Sequence, residues 1–230
     1  MNRKSLITSL ITASVIFGGA SPALAAPRST ETVTLLKSAT VHAYPGNGAP
    51  TTGAVSATRP LTGSATTLPV IGTASANGVA WVRVLLPQRP DESAGWISTN
   101  GTRVGSDPWY VEVSRAQRHA TIYRNGRTVR SFPVVVGRPS MPTPAGLFFV
   151  AEIVNEGYET VTGPYALATS DYSNVLQEFD GGPGQIAMHG RVGLPEPLGT
   201  ASSHGCIRFA NEDIVWLAQH LTPGTPLNIR

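Results

Sequence analysis

The sequence predicts a mostly β protein with two β-rich domains, the second of which carries one clear helix. Apolar and polar residues alternate in short runs, as at residues 81–86 and 109–114, and this period of two is typical of half-buried strands. Glycine and proline number 24 and 19 among 230 residues, which favours turns over long helices. Asn125-Gly126 between two apolar runs predicts a two-residue hairpin.

Residues 1–25 have the pattern of a secretory signal peptide. Arg3 and Lys4 form a basic start, residues 5–20 are mainly apolar, and residues 23–25 (Ala-Leu-Ala) fit the small-x-small rule for cleavage. The apolar run is short for a membrane span of about 20 residues. We therefore expect a cleaved and exported protein, with an uncleaved membrane anchor as the alternative.

The charge balance gives no indication of a nucleic-acid partner. The whole chain carries a formal net charge of +3, and without Arg3 and Lys4 the remaining 15 basic and 14 acidic residues leave +1. Nucleic-acid binding depends on an excess of basic residues. We also expect no membrane contact once the signal peptide is removed.

Residues 31–104 form the first predicted domain. Strands are expected at residues 33–36, 40–43, 81–86 and 94–97, with a turn at 45–48. The pair Trp-Val-Arg-Val (81–84) and Gly-Trp-Ile (95–97) resembles a bacterial SH3-like domain, a small β-barrel that often flanks wall enzymes. A small barrel of another type is the alternative. Residues 105–108 are expected to form a linker.

Residues 109–230 form the second predicted domain. Strands are expected at residues 109–114, 121–124, 127–136, 148–150, 153–154, 166–170, 185–188 and 226–229. Asn211 is expected to cap a helix with Glu212 and Asp213 in its first turn, and its apolar stripe is Ile214, Leu217, Ala218 and Leu221. The Gly- and Pro-rich residues 190–202 are expected to cross the surface and shape the mouth of a pocket.

The only cysteine, Cys206, is the candidate nucleophile. It lies in residues 203–208 (Ser-His-Gly-Cys-Ile-Arg), 17 positions after His189. A free thiol has a pKa near about 8.5 and needs a neighbouring imidazole to lose its proton at neutral pH. A single cysteine is more often a buried apolar residue, but one cysteine among histidine, glycine and arginine in an exported chain indicates a chemical use.

Two other residues of this stretch suit the same chemistry. Gly205 leaves room for substrate to approach the backbone, so N–H groups at Gly205 and Cys206 are candidates to face an oxyanion. Arg208, two residues on, would share a strand face with Cys206 and suits a substrate carboxylate.

These residues resemble the active-site signature of the L,D-transpeptidases, the YkuD family. The resemblance covers residues 186–190 and 198–208, and a second motif, Pro-Thr-Pro-Ala-Gly-Leu-Phe at 142–148, resembles the element that begins a core strand in the same family. It implies a YkuD-like β-rich catalytic domain in which Cys206 is acylated, His189 is the general base, and the Gly190 carbonyl orients that histidine.

The resemblance also implies the substrate. The enzyme would attack peptidoglycan stem tetrapeptides at the bond between the third stem residue and the terminal D-alanine, form a thioester, and make 3→3 crosslinks in the cell wall or periplasm. Water as acceptor would make it an L,D-carboxypeptidase instead. No metal or organic cofactor is required.

The roles of two motif residues stay open at this point. His204, two residues before Cys206, would share its face on a strand, where it either tunes the thiolate, binds substrate or is a packing residue. Ser203 either donates a hydrogen bond near the thiol or fixes a turn.

Other functional classes are also considered. His189, His204 and Cys206 have the residue types of a zinc site, although His-x-Cys is an uncommon ligand spacing. A wall-binding protein without catalysis is the third class. Papain-like peptidases have their cysteine before the histidine, and sortases have a longer His-to-Cys separation.

Overall fold

The computed structural model describes residues 26–178 and 181–230, so the predicted signal peptide at residues 1–25 lies outside the described residues. The described chain contains two β-sheets, a small two-stranded sheet and one α-helix. The mostly β prediction with one clear helix is confirmed. Within the described ranges, no helix is long and apolar enough to cross a bilayer.

Seven strands form the N-terminal sheet: β1 (Thr30–Leu35), β2 (Ala39–His42), β3 (Thr51–Val55), β4 (Thr67–Ala76), β5 (Val79–Leu85), β6 (Ala94–Ser98) and β7 (Thr102–Asp107). Their order is β3-β2-β6-β5-β4-β1-β7, and all neighbours are antiparallel. Alternate side chains such as Val33, Leu68 and Ile97 are fully buried in one core. That this sheet is an SH3-like barrel stays a prediction.

Three strands of this sheet are absent from the predicted set. The sequences of β3 and β4 contain glycine, proline and small residues that are poor local strand signals, so pairing with neighbouring strands decides their conformation. The linker predicted at residues 105–108 is wrong, because β7 continues to Asp107 and pairs with β1 from Thr102 onwards. Only Pro108 separates β7 from the next strand.

The C-terminal part contains ten further strands and the helix: β8 (Trp109–Ser114), β9 (His119–Arg124), β10 (Arg127–Pro133), β11 (Val136–Gly137), β12 (Gly146–Asn155), β13 (Tyr165–Tyr172), β14 (Gln185–His189), β15 (Ala201–Ser203), β16 (Ile207–Arg208), α1 (Asn211–His220) and β17 (Pro226–Ile229). Eight strands form a sheet of order β10-β9-β8-β17-β12-β13-β14-β16, and β11 pairs with β15.

This eight-stranded sheet curls back on itself. Val135, just after β10, forms an isolated bridge with Arg208 of β16, so the two edges of the sheet meet. The β9–β10 hairpin turns at Asn125 and Gly126, whose φ angles are 53° and 74°. Two consecutive positive φ values suit the tight two-residue turn that this dipeptide predicted.

Strand β12 joins the two hydrophobic cores. Phe148 and Val150 pack into the core of the curled sheet, whereas Phe149 and Ala151 pack with the N-terminal sheet. Side chains alternate between the faces of a strand, so a continuous apolar run is buried on both sides. Glu152 on this strand is fully buried and accepts the backbone N–H groups of Leu61 and Thr62 at 3.1 and 2.9 Å.

Helix α1 covers one side of the curled sheet. Its first turn and its buried face agree with the prediction, whereas its N-terminal capping residue differs. Ile214 and Leu217 are fully buried, and Glu212 and Asp213 lie in the first turn. The capping residue is Ala210 and makes no side-chain cap hydrogen bond, so the prediction of Asn211 as the cap is wrong. The Asn211 side chain instead accepts the Arg191 N–H at 2.7 Å, which ties the helix to the loop after His189.

Candidate active site

Two adjoining strands bring the cysteine and the histidine together. Strands β14 and β16 are parallel and pair Met188 with Ile207 and His189 with Arg208. Extending this register by one residue places Cys206 beside Ala187, diagonal to His189. The spacing between strands and the rise along them separate the two Cα atoms by about 8 Å. Sheet pairing therefore makes neighbours of residues that lie 17 positions apart.

A tight turn at residues 203–206 presents Cys206. Ser203 is fully buried, donates its hydroxyl to the Cys206 carbonyl at 2.6 Å, and accepts the Gly205 N–H at 3.2 Å. Gly205 has a φ of 126°, and a side chain there would collide with Ile186. These contacts favour the turn-fixing role of Ser203. Because Ser203 accepts the Gly205 N–H in the resting site, an oxyanion role for Gly205 stays a prediction.

Thr143 connects the second sequence motif to this turn. Its buried hydroxyl donates to the Gly205 carbonyl at 2.7 Å and accepts the Gly137 N–H at 2.8 Å. The segment that leads into β12 therefore supports the backbone of the cysteine turn. This positioning role was missed from sequence, where the motif indicated only the start of a strand.

The imidazole of His189 is neutral and anchored. Its Nδ1 lies 2.7 Å from the Gly190 carbonyl oxygen, and since a carbonyl only accepts hydrogen bonds, Nδ1 carries the hydrogen. Burial lowers the His189 pKa to about 4, with Arg208 acting in the same direction and the Gly190 hydrogen bond opposing it. The Nε2 lone pair is thus available to take a proton at neutral pH.

The thiol of Cys206 is protonated at rest. Burial raises its pKa, as does the nearby Asp171 carboxyl, while a backbone hydrogen bond with Ala187 and the charge of Arg208 oppose the shift. As a residue, Cys206 nevertheless keeps partial exposure and lines a pocket. In the described ranges its Sγ makes no hydrogen bond to the His189 ring, and such contacts commonly close only when substrate binds.

Arg208 lies beside His189 and is already paired. Its Nη1 lies 2.9 Å from Glu196 Oε1 in the loop after His189. The Nε of Arg208 is buried and has no hydrogen-bond partner among the described residues. Glu196, which the sequence did not indicate, holds the orientation of the guanidinium.

A narrow pocket opens onto the thiol. It is lined by Ser173, Leu176, Gly184, Gln185, Ile186, His204 and Cys206. His204 is exposed and lies in a bend rather than a strand. It therefore lines the pocket, but it does not share a strand face with Cys206 as the sequence predicted. His204 and Cys206 therefore line the same pocket.

A buried acid and a half-buried acid meet behind this pocket. Asp171 at the end of β13 is fully buried, and Asp91 reaches it from the N-terminal sheet. Burial, followed by the charge of Asp91, raises the Asp171 pKa to about 9. Asp171 is therefore protonated at neutral pH, and this coupling between the two sheets was not visible in the sequence.

We expect Asp171→Asn to stabilise the protein increasingly as pH rises from about 4 to 9. The folded carboxyl holds a proton that the unfolded chain, with its ordinary acid pKa near 3.8, releases, so the wild type loses stability across this window. The difference in unfolding free energy should grow by at most about 1.4 kcal/mol per pH unit. Urea unfolding at several pH values measures it.

Asp107→Asn is the matched control for that measurement. The buried carboxylate of Asp107 accepts the Trp109 N–H and the hydroxyls of Thr222 and Thr225 at 2.8, 2.9 and 2.5 Å. Its replacement should destabilise the protein at pH 8, because accepted hydrogen bonds to a charged group are lost. A destabilising Asp171→Asn at pH 8 would contradict the assignment of a protonated Asp171.

The zinc-site alternative would need three ligands in one place. Among residues 26–178 and 181–230, no group of three His, Cys, Asp or Glu side chains is arranged to hold a metal ion.

Comparison with known proteins identifies the C-terminal domain. The profile of the YkuD family, an L,D-transpeptidase catalytic domain, matches residues 108–229. The putative L,D-transpeptidase YkuD of Bacillus subtilis is 30% identical over 122 residues, which are 53% of this chain and 66% of the relative. Its namesake in Bacillus licheniformis is 31% identical over 154 residues, 64% of this chain and 85% of the relative.

Solved structures also resemble this chain. One is the catalytic domain of an L,D-transpeptidase from E. faecium, determined by NMR in a form acylated by ertapenem. It shares 25% identity, covers 54% of this chain and 97% of its own, and has a TM-score of 0.43. The profile match, which extends over more than half of the chain, and the two Bacillus relatives establish that this protein belongs to the YkuD family of L,D-transpeptidases.

Proposed function

We propose that this protein is a secreted cysteine acyltransferase that forms 3→3 crosslinks between peptidoglycan stem peptides. The observation that carries the proposal is the partly exposed residue Cys206, which lines a pocket beside the strand that ends in His189. The imidazole is anchored through Nδ1 by the Gly190 carbonyl, which leaves Nε2 as the base.

In the first half-reaction, Cys206 attacks the carbonyl that joins the third stem residue to the terminal D-alanine. The thiol proton passes to His189 Nε2, and an S–C bond forms as the carbonyl oxygen becomes an oxyanion. The C–N bond then breaks, the imidazolium returns its proton to the leaving amine, and free D-alanine departs. A thioester on Cys206 remains.

In the second half-reaction, an amine from a neighbouring stem attacks the thioester. Neutral His189 accepts a proton from the attacking amine and passes it to the departing sulfur. An amide between two third-position residues forms, and the thiol is restored. With water as the attacking group the product is a free tripeptide, which would make the protein an L,D-carboxypeptidase.

The electrostatics favour a base-assisted mechanism over a standing ion pair. The thiol pKa is raised and the His189 pKa is lowered, both chiefly by burial. Proton transfer therefore accompanies attack instead of preceding it. The backbone N–H groups at Gly205 and Cys206 are candidates for the oxyanion, and the guanidinium of Arg208 is a candidate for a substrate carboxylate.

The proposed location is the cell wall or periplasm, reached through the signal peptide at residues 1–25. The N-terminal sheet, proposed as an SH3-like domain at residues 31–104, would hold the catalytic domain of residues 109–230 at its polymer. A wall-binding protein without catalysis is the competing proposal, and the two differ in their products.

Incubation with a defined disaccharide tetrapeptide tests the function. We expect release of D-alanine together with a dimer joined through two third-position residues, detected by chromatography and mass spectrometry. Tripeptide without dimer would instead indicate the carboxypeptidase. Unchanged tetrapeptide after prolonged incubation with correctly folded protein would favour mere binding.

A further inference from the structure

A loop of the N-terminal sheet reaches the wall of the cysteine pocket. We name residues 87–93, between β5 and β6, the docking loop. Its Arg89 donates from Nη1 to the Ser173 carbonyl at 2.9 Å, and from Nη2 to the carbonyls of Leu176 and Pro183, both at 3.1 Å. One guanidinium thus binds both the chain that leaves β13 and the chain that returns to β14.

The carbonyls that Arg89 binds belong to the pocket wall or lie next to it. Ser173, Leu176 and Gly184 line the pocket together with Cys206. The two sides of this wall are packed tightly, because the Ser173 N–H donates to the Gly184 carbonyl at 2.8 Å. A side chain at Gly184, where φ is 67°, would overlap the Leu176 carbonyl.

Further contacts fix the docking loop against β13. The Arg89 guanidinium lies 5.1 Å from the centre of the Tyr172 ring, and the Tyr172 hydroxyl donates to the Pro87 carbonyl at 3.2 Å. The Tyr172 N–H donates to Asp91 Oδ1 at 3.0 Å. A planar guanidinium with five donors in a fixed fork suits several acceptors at set angles, which a lysine ammonium does not reproduce.

We propose that Arg89 is a positioning residue for acyl transfer: the N-terminal sheet uses it to hold the pocket wall at the distance from Cys206 that a substrate requires. The N-terminal sheet is then part of the catalytic machinery, in addition to any wall-binding role. The inference rests on the proposed function of Cys206 as the nucleophile.

Arg89→Met tests this inference, with Arg59→Met as the matched control. Methionine keeps the length of the side chain and removes the donors. Arg59 also joins the N-terminal part to the second sheet, through Glu152 at 3.5 Å, and both arginines are half-buried. It is not among the pocket-lining residues. Both variants remove an arginine that connects the two sheets, but only Arg89→Met releases the pocket wall.

Two reactions of Cys206 are measured in the full chain, with melting temperature as a check. For Arg89→Met we expect kcat/KM for tetrapeptide acylation to fall about 10- to 100-fold, since small misplacement in an active site has this cost. Alkylation of the thiol by iodoacetamide should become faster, because this small reagent does not depend on the position of the pocket wall and a loosened wall leaves the thiol more accessible. Arg59→Met should lower the melting temperature while leaving both rates at their wild-type values.

Equal effects of the two variants on both reactions would overturn the inference, because they would indicate general loosening. Unchanged acylation in Arg89→Met would overturn it as well. If the wild type proves inactive on tetrapeptide, the proposed function fails, and the contrast in alkylation rates alone then decides the positioning role.

Two further variants keep the inference testable if Arg89→Met does not fold. Arg89→Lys should give an intermediate acylation rate. Gly184→Ala keeps the arginine, but its added Cβ would overlap the Leu176 carbonyl and lie 3.3 Å from Arg89 Nη2, so it should displace the same wall and give the same opposite changes.

Discussion

Replacing Cys206 with alanine should abolish covalent acylation and reduce turnover about 10⁴-fold or more, as expected when a nucleophile is removed. The chain has no second cysteine to substitute for it. Intact-protein mass spectrometry after incubation with ertapenem, a carbapenem, should give one adduct on the wild type and none on the variant. An adduct on both would refute the thiol mechanism.

The fold should survive this change, which makes the loss interpretable. Cys206 is partly exposed and lies outside both hydrophobic cores, so Cys206→Ala should alter the unfolding free energy by about 0.5 kcal/mol or less. Cys206→Ser is the companion variant, because it keeps a weaker nucleophile at the same place. We expect it to form the adduct far more slowly than the wild type.

The parts of the fold that the sequence predicted are those determined by local chemistry. The hairpin at Asn125-Gly126 follows from two residues that accept positive φ, and β8 follows from strict alternation of apolar residues. Strands β4 and β7 have weak local signals and form because β1 lies between them and pairs with both. The linker error has the same cause, since pairing partners distant in sequence are not visible in a single segment.

The candidate site divides in the same way. Cys206 and His189 stand in short motifs with characteristic neighbours, so their residue types and spacing indicated a common chemistry. Thr143, Asp171 and Glu196 contribute through contacts between segments that lie far apart in the chain. Only the folding of the C-terminal part brings these side chains to the neighbourhood of the cysteine.

Burial has opposite consequences for the two reacting groups, and together they define the resting state. Desolvation disfavours the charged form of each, so it raises the pKa of the Cys206 thiol and lowers that of the His189 imidazole. A neutral pair limits unspecific reactions of the thiol with oxidants, because the thiolate is the reactive species. Reactivity then depends on a substrate that closes the distance between Sγ and Nε2.

Replacing His189 with glutamine should slow acylation about 10²- to 10⁴-fold, the usual contribution of a general base. The pH profile separates this role from simple orientation. In the wild type the base is neutral above the His189 pKa of about 4 and the thiol stays protonated up to its raised pKa. The rate should therefore fall only below about pH 5 and stay nearly constant to pH 8. In the variant only the thiolate reacts, so the rate should rise about tenfold per pH unit over the same range.

Single-turnover acylation by ertapenem between pH 4 and 9 measures both profiles. A flat profile in the variant, or a loss smaller than tenfold, would show that the imidazole does not take the thiol proton.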